Sequence, residues 1–391
     1  MERNYYCRQK FRALAIDPEK KTTYNCYTAQ SQPINFEWLK QNPGQLFNTD
    51  INVSEREMML NNTRNPSCEQ SCWVPEDQGM ISTRIIDVGN VKTHANPRGT
   101  VETLNFVTGS NCNLTCSYCC KEFSTAWSND CEKNGEYQDL GKDAERYQYS
   151  KIDQILKKVS QAKKFNMSHY QMLLDEVSLC ADNLSSFGIS GGEPLLHNRF
   201  LDILQLTQHV PQIKIYTGLG VNIKRFETLL DKIKDYKNIV VAVSMENVGA
   251  LHEFNRYGTK WTDVVTKLDL LKQSNVNTIF SSTLSNLSIF GFAEFYNQFK
   301  SYHIRSDVVH TPSFMPLYVI DDASKQCIAN ELANTNLDSR DDIIKSLSTV
   351  PSREQRVQLQ NFLRQFIARR SDLSIDVFPK SFQTWVTENV V

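Results

Sequence analysis

From Val101 to His310 the chain alternates short β-branched runs with longer stretches in which apolar residues recur every three or four positions. The runs Val101–Val107, Ser186–Ser190, Ile213–Thr217, Ile239–Met245, Asn277–Thr283 and Asp307–His310 predict strands. Arg199–His209, Arg225–Tyr236, Lys260–Gln273 and Phe290–Tyr302, lying between them, predict amphipathic helices. Lys151–Lys164 and Tyr170–Asp182 add two helical segments ahead of the second strand. Alternation at these lengths predicts parallel strands joined by right-handed crossovers, and hence an α/β fold. The flanks differ. Ala15–Cys26 reads as strand–turn–strand, with the turn opened by Asp17-Pro18. Asp341–Leu347 and Arg353–Arg369 read as helices in a tail without motifs. The pattern divides the chain into residues 1–95, 96–320 and 321–391.

A chain of 391 residues can bury one large core or two ordinary ones. Its formal net charge of −1 creates no field favouring a polyanion, so nucleic acid is not indicated as a partner. No apolar run reaches membrane-spanning length, and the N-terminal residues lack the charged-then-apolar order of a secretory leader. A soluble, cytoplasmic protein is the expectation. Eleven cysteines in a long unsecreted chain then read as metal ligands and free thiols, not as a disulfide framework.

Three of those cysteines stand together. Cys112, Cys116 and Cys119 form a CxxxCxxC run just after the first strand of the alternating region. Soft thiolates suit iron–sulfur clusters, and three can hold three irons of a 4Fe-4S cube, leaving the fourth open. A closed zinc site wants four ligands, and this run offers three plus the adjacent Cys120. A second motif, Ser190-Gly191-Gly192-Glu193-Pro194-Leu195, follows the second strand. Both sit at C-terminal strand ends, where parallel β/α barrels gather their chemistry.

On these two motifs the stretch Val101–His310 resembles the radical S-adenosylmethionine (radical SAM) superfamily. The resemblance implies a partial (β/α)6 parallel barrel and a catalytic 4Fe-4S cluster on Cys112, Cys116 and Cys119. It further implies that the open iron takes up the methionine moiety of S-adenosyl-L-methionine, whose reductive cleavage gives a 5′-deoxyadenosyl radical. That radical would abstract a hydrogen atom from a peptide or small-molecule substrate, with an electron donor of flavodoxin or ferredoxin type. Tyr118 stands where the family usually carries an aromatic residue near the adenine, with ordinary packing as its alternative. Gly191, Gly192 and Glu193 would receive the methionine amino group, the glycines allowing close backbone approach. Ser244 matches a serine that contacts ribose or carboxylate. Arg256 matches an arginine whose planar fork meets the methionine carboxylate, with a solvated charge as its alternative. Glu246 stands where relatives often have aspartate, and Ser282 and Thr283 could reach the adenosine.

A second set, Cys7, Cys26, Cys68 and Cys72, precedes the alternating region. With the 15–26 hairpin pattern, Pro66–Trp73, Gly79, Ser82-Thr83-Arg84 and Tyr257–Trp261, it resembles a radical SAM subgroup with an N-terminal twitch-like domain. That domain is a small α+β module around an auxiliary 4Fe-4S cluster. Such proteins show CxxC before the tryptophan, whereas three residues intervene here. On a helix Cys68 and Cys72 would still share a face. A four-cysteine zinc site and metal-free buried thiols are the alternatives. Two other function classes compete overall: an iron–sulfur electron-transfer protein, which needs no Gly-Gly-Glu turn, and a zinc-binding interaction protein. About seventy residues separate Cys119 from Gly191, and the excess, Ser124–Tyr149, reads as a substrate lid or a mobile segment. Cys327 reads as a packed thiol.

Overall fold

The computed structural model describes residues 4–26, 30–77, 82, 84–85, 95–142, 144 and 167–388. The predicted helix Lys151–Lys164, Gly79, Thr83 and the end of the insertion from residue 145 lie outside them. In chain order the strands are β1 (Ala13–Asp17), β2 (Thr22–Tyr24), β3 (Gln32–Pro33), β4 (Thr103–Val107), β5 (Thr115–Cys116), β6 (Ser186–Ser190), β7 (Ile213–Thr217), β8 (Ile239–Ser244), β9 (Arg256–Tyr257), β10 (Asn277–Leu284) and β11 (Ile304–Val308). The helices of seven or more residues are α1 (Asp50–Leu60), α2 (Thr125–Asn134), α3 (Met167–Cys180), α4 (Phe200–Leu206), α5 (Ile223–Ile233), α6 (Gly249–Asn255), α7 (Trp261–Gln273), α8 (Phe292–Phe299), α9 (Asp322–Ala333), α10 (Arg340–Leu347), α11 (Arg353–Ala368) and α12 (Lys380–Thr387). The result is a mixed α/β protein rich in parallel pairing. Among the described residues, no helix is long and apolar enough to cross a membrane.

The chain forms two compact units, each built from separated segments. The described residues of Met1–Gly109, Lys163–Gly191 and His197–Ile215 make the first, and those of Ser110–Ala162, Gly192–Leu196 and Tyr216–Val391 the second. In the first unit the strands run in the order β7-β6-β4-β1-β2-β3, with β7 contributing Ile213–Ile215. β7, β6, β4 and β1 are parallel, and Phe106 of β4 lies between Ile189 and Ile16 of its neighbours, all three fully buried. The predicted hairpin closes as β1/β2, where Asp17 Oδ1 accepts from the Lys20 N–H at 2.9 Å and Lys21 takes φ +56°.

In the second unit β8, β10 and β11 are parallel neighbours, with Val243, Phe280 and Ile304 in register. β8 reads Ile-Val-Val-Ala-Val-Ser, and only its last residue is not buried, as expected of a strand covered on both faces. β11 begins at Ile304, three residues before the predicted Asp307, and ends at Val308. Its Ile-Arg-Ser-Asp-Val alternation leaves every second residue exposed, so its apolar signal is thin. α5 buries Phe226, Leu229, Leu230 and Ile233 at helical spacing and is capped by Asn222, which accepts from Arg225 N–H. α9 and α12 were not legible in the sequence. Cys327, on α9, is exposed and not packed, with Sγ 3.4 Å from Glu331 Oε1.

The described part of the insertion is anchored by a few buried side chains. α2 buries Trp127 and Cys131, and Tyr137 and Leu140 beyond it are fully buried. Trp127 meets Phe366 of α11 at 5.8 Å between ring centroids, Tyr137 meets Phe362 at 5.6 Å, and the Arg369 guanidinium lies 3.8 Å over the Tyr137 ring.

Candidate metal centre and cofactor site

The cysteine loop hangs between two braces in the second unit. On one side, Ser124 caps α2 and donates its hydroxyl to the Leu114 carbonyl at 2.7 Å. Thr125 Oγ1 donates to the Cys112 carbonyl at 2.9 Å and accepts from the Cys112 N–H at 3.1 Å. Trp127 Nε1 donates to the Cys116 carbonyl at 3.0 Å. On the other side, Ser117 donates its N–H to the Asn255 carbonyl and its hydroxyl to Asn255 Oδ1, both at 2.8 Å. Asn255 is anchored in turn on Asn247 Oδ1 and the Leu287 carbonyl. β5 and β9 then pair antiparallel and place Arg256 directly across the ladder from Cys116.

Cys112 and Cys116 are buried and Cys119 is half-buried. Burial pushes all three thiols up: Cys116 to about 12, Cys112 above its ordinary value and Cys119 well above it. Each would also be opposed by its neighbours' charge, Cys116 by Cys112, and Cys119 by Cys116, Cys120 and Cys112. Such a group ionises only against compensating positive charge. Arg256 supplies part of it to Cys116 and Cys112, and iron would supply the rest, so the donor set fits an iron–sulfur cluster. Among the described residues, no three His, Cys, Asp or Glu side chains form a group that could hold a single metal ion.

Arg256 is not a solvated charge. Its side chain is 5 % exposed, and Nη2 donates to Glu246 Oε2 at 3.2 Å. Nη1 lies 4.0 Å from Cys116 Sγ, and Nε has no hydrogen-bond partner. The guanidinium stands 5.5 Å from the centroid of the Tyr118 ring, and the Tyr118 hydroxyl donates to Glu246 Oε1. Tyr118, Glu246 and Arg256 thus form one buried polar cluster beside Cys116. Burial acts to lower the Arg256 pKa, but Glu246, Tyr118 and Cys116 together raise it above its ordinary value. Both Glu246 oxygens are engaged, one by Tyr118 and the other by Arg256.

The Gly-Gly-Glu turn packs closely against its own chain. A Cβ on Gly191, at φ +137°, would meet Gly109 O and Thr108 Oγ1 at 2.7 Å. In the second unit, a Cβ on Gly192 would meet Asn111 O at 2.6 Å. The close approach these glycines allow is to the protein's own backbone. The Glu193 carboxylate is buried and turned inward, where Oε1 accepts from Leu195 N–H at 3.2 Å and Thr217 Oγ1 at 2.8 Å. Oε2 accepts from Gly218 N–H and Gly220 N–H, both at 3.0 Å. Burial pushes its pKa up while these four donors pull it down. Lys267 Nζ holds the Leu219 carbonyl at 2.9 Å from the other side of the same loop. A Cβ on Gly218 would come within 3.3 Å of Arg256 Nη1. Gly218-Leu219-Gly220 was missed in the sequence, although a glycine pair at a strand end was a readable signal.

Ser244 ends β8 half-buried, and its register partner on β10 is Ser281. The Ser282 hydroxyl is engaged within the fold, donating to the Met245 carbonyl at 2.6 Å.

The N-terminal set lies in the first unit. Cys7, Cys68 and Cys72 are buried and Cys26 is half-buried. Burial pushes Cys7 to about 12 and Cys68 to about 11, and raises Cys72. Charge on Cys26 would raise all three further, and Cys7, Cys68 and Cys72 share one buried cluster. Cys68 and Cys72 are not on a regular α-helix. A 3-10 turn, Pro66–Cys68, runs into a wide π turn, Glu69–Trp73, fixed by Trp73 Nε1 donating to the Asn65 carbonyl at 2.6 Å.

No protein-family model and no curated protein matches the chain. Among solved structures it is similar to anSMEcpe with bound AdoMet and Kp18Cys peptide, at 14% identity over 59% of each chain with a TM-score of 0.36. It is similar to Streptococcus suis SuiB bound to the precursor peptide SuiA, at 12% identity over 86% of this chain and 70% of SuiB, with a TM-score of 0.34. A third is TYW1 with a lysine-pyruvate adduct bound, at 16% identity over 59% of this chain and 74% of the other, with a TM-score of 0.30. The chain spans about half to three fifths of the length of the anSMEcpe chains it matches. All three TM-scores fall below 0.5, and the site is therefore read from its own residues.

Proposed function

We propose that this chain is a radical SAM enzyme, with a 4Fe-4S cluster on Cys112, Cys116 and Cys119 and S-adenosylmethionine bound beside Arg256. One observation carries the reading: Cys112 and Cys116 of the CxxxCxxC loop share one buried cluster with Cys119 packed against it, and a buried guanidinium stands in ladder register with the middle cysteine. Bound together, the cluster and S-adenosylmethionine would supply the radical chemistry for hydrogen abstraction from a peptide or small metabolite. The residues do the remaining work. Arg256 Nε is a buried donor without an acceptor, which suits a ligand carboxylate. The Tyr118 ring and the Ser244 hydroxyl offer an apolar face and a hydrogen bond to an adenosine. The Gly191-Gly192-Glu193 turn would meet the methionine amino group through backbone atoms, because the Glu193 carboxylate is fully engaged.

The same reading extends to the rest of the chain. Strands alternating with helices in chain order, parallel to their neighbours within each unit, support a partial (β/α)6 barrel over residues 96–320. The shared buried cluster of Cys7, Cys68 and Cys72, with Cys26 coupled to each by charge, supports a twitch-like auxiliary 4Fe-4S cluster in residues 1–95. A flavodoxin- or ferredoxin-type donor in the cytoplasm would supply the electron.

The decisive experiment is Cys116→Ala. Anaerobically reconstituted, reduced and given S-adenosylmethionine, the variant should release no 5′-deoxyadenosine while keeping the iron of the N-terminal set. Wild-type yield from this variant would reject the assignment.

A further inference from the structure

Both residues whose side chains the sequence offered to the cofactor at this point, Tyr118 and Arg256, turn their polar groups to a third. Glu246 is 1 % exposed, and each of its oxygens accepts from one of them. A carboxylate this deep is costly unless paired, and removing one member of a buried pair typically leaves the other uncompensated. Glu246 therefore has a defined task. It fixes the guanidinium by one nitrogen, leaving Nη1 beside Cys116 Sγ at 4.0 Å and Nε without an acceptor. It also fixes the Tyr118 ring, whose hydroxyl is tied to the same carboxylate. We infer that Glu246 is a positioning residue that aims Arg256 at the cluster and the cofactor carboxylate, and that Glu246 and Arg256 set the cluster's potential with opposite sign.

The inference rests on the radical SAM reading and concerns a residue that would ligate neither iron nor cofactor. Its physical content is charge. Reduction adds an electron next to Cys116, so a nearby negative charge opposes it and a nearby positive charge favours it, strongly in a buried, poorly screened setting. Glu246→Gln keeps the volume and removes the negative charge. The cluster of that variant should reduce at a more positive potential than wild type. Arg256→Gln removes the positive charge and should move it to a more negative one. The double variant restores the net charge and should return near the wild-type value. It should also recover part of the thermal stability that either single change loses, because no unpaired buried charge remains.

The test is an EPR-monitored redox titration of cluster-loaded wild type, both single variants and the double, each also carrying Cys68→Ala and Cys72→Ala to silence the N-terminal set. Cofactor affinity is measured in parallel by anaerobic titration, and Glu246→Gln should weaken S-adenosylmethionine binding about ten-fold through the misaimed guanidinium. Opposite shifts, with reversal in the double variant, establish the role. Shifts of the same sign, or none, in a protein whose cluster is intact overturn this inference alone. Absence of any cluster signal in the background carrying the Cys112, Cys116 and Cys119 thiols overturns the radical SAM reading with it.

Discussion

His252 shows most directly what a single buried side chain does to this protein. It is 2 % exposed on α6, neither ring nitrogen has a hydrogen-bond partner, and its ring lies 5.3 Å from that of Trp261. Burial and the nearby Arg256 charge lower its pKa from 6.5 to about 3. The unfolded chain therefore binds a proton that the folded one refuses over that range. The stability this residue contributes is complete above pH 6.5 and falls as pH drops toward 3, by at most about 1.4 kcal/mol per pH unit. Replacing His252 with Phe should flatten the dependence of melting temperature on pH between 6.5 and 5. An unchanged slope would show that other groups carry it. Glu193 and Arg256, by contrast, are buried with compensation: the first has four donors, the second one carboxylate and a sulfur neighbour.

At the scale of elements, the cysteine loop owes its shape to α2, which the sequence placed in an insertion of uncertain use. Trp127 is fully buried and holds the Cys116 carbonyl, while Arg370, just past α11, donates to Thr115 Oγ1 at 3.2 Å and to the Tyr137 hydroxyl at 3.1 Å. α11 thus reaches the cysteine loop through Phe366 against Trp127 and through the Arg370 hydrogen bonds just past its end. Trp127→Ala should cost about 3–5 kcal/mol in denaturant unfolding through the cavity it leaves. Trp127→Phe should cost less, about 0.5–1.5 kcal/mol for the lost hydrogen bond alone. Both should lower iron incorporation at Cys112, Cys116 and Cys119 in that order of severity. Full iron loading in Trp127→Ala would show that the loop forms without its brace.

At the scale of the whole molecule, the proposed reading gives each of the two sets of thiols one cluster. Anaerobically reconstituted protein should bind about eight irons, the sum of two cubes. Changing Cys68 and Cys72 together to Ala should halve that number and leave S-adenosylmethionine binding in place. About four irons with one equivalent of zinc in the wild type would make the N-terminal set a structural site instead.

The sequence by itself determined the order of strands and helices and the two motifs at strand ends. These depend on local periodicity, caps and turn residues, which neighbouring positions carry among themselves, as in α5 with its Asn222 cap or the Asp17-Pro18 turn. It also singled out Tyr118, Glu246 and Arg256, which the structure places beside Cys116. What it left open was which groups they meet. Tyr118 finds Glu246 across 128 positions, and Arg256 stands opposite Cys116 across 140. β1 joins β4 in parallel, so the N-terminal hairpin extends the sheet of the first unit, and the Glu193 carboxylate turns toward the Gly218–Gly220 amides. A hydrophobic pattern states that a residue will be buried; only the packed chain decides which donors, acceptors and charges it is buried with, because those contacts come from segments with no local correlation.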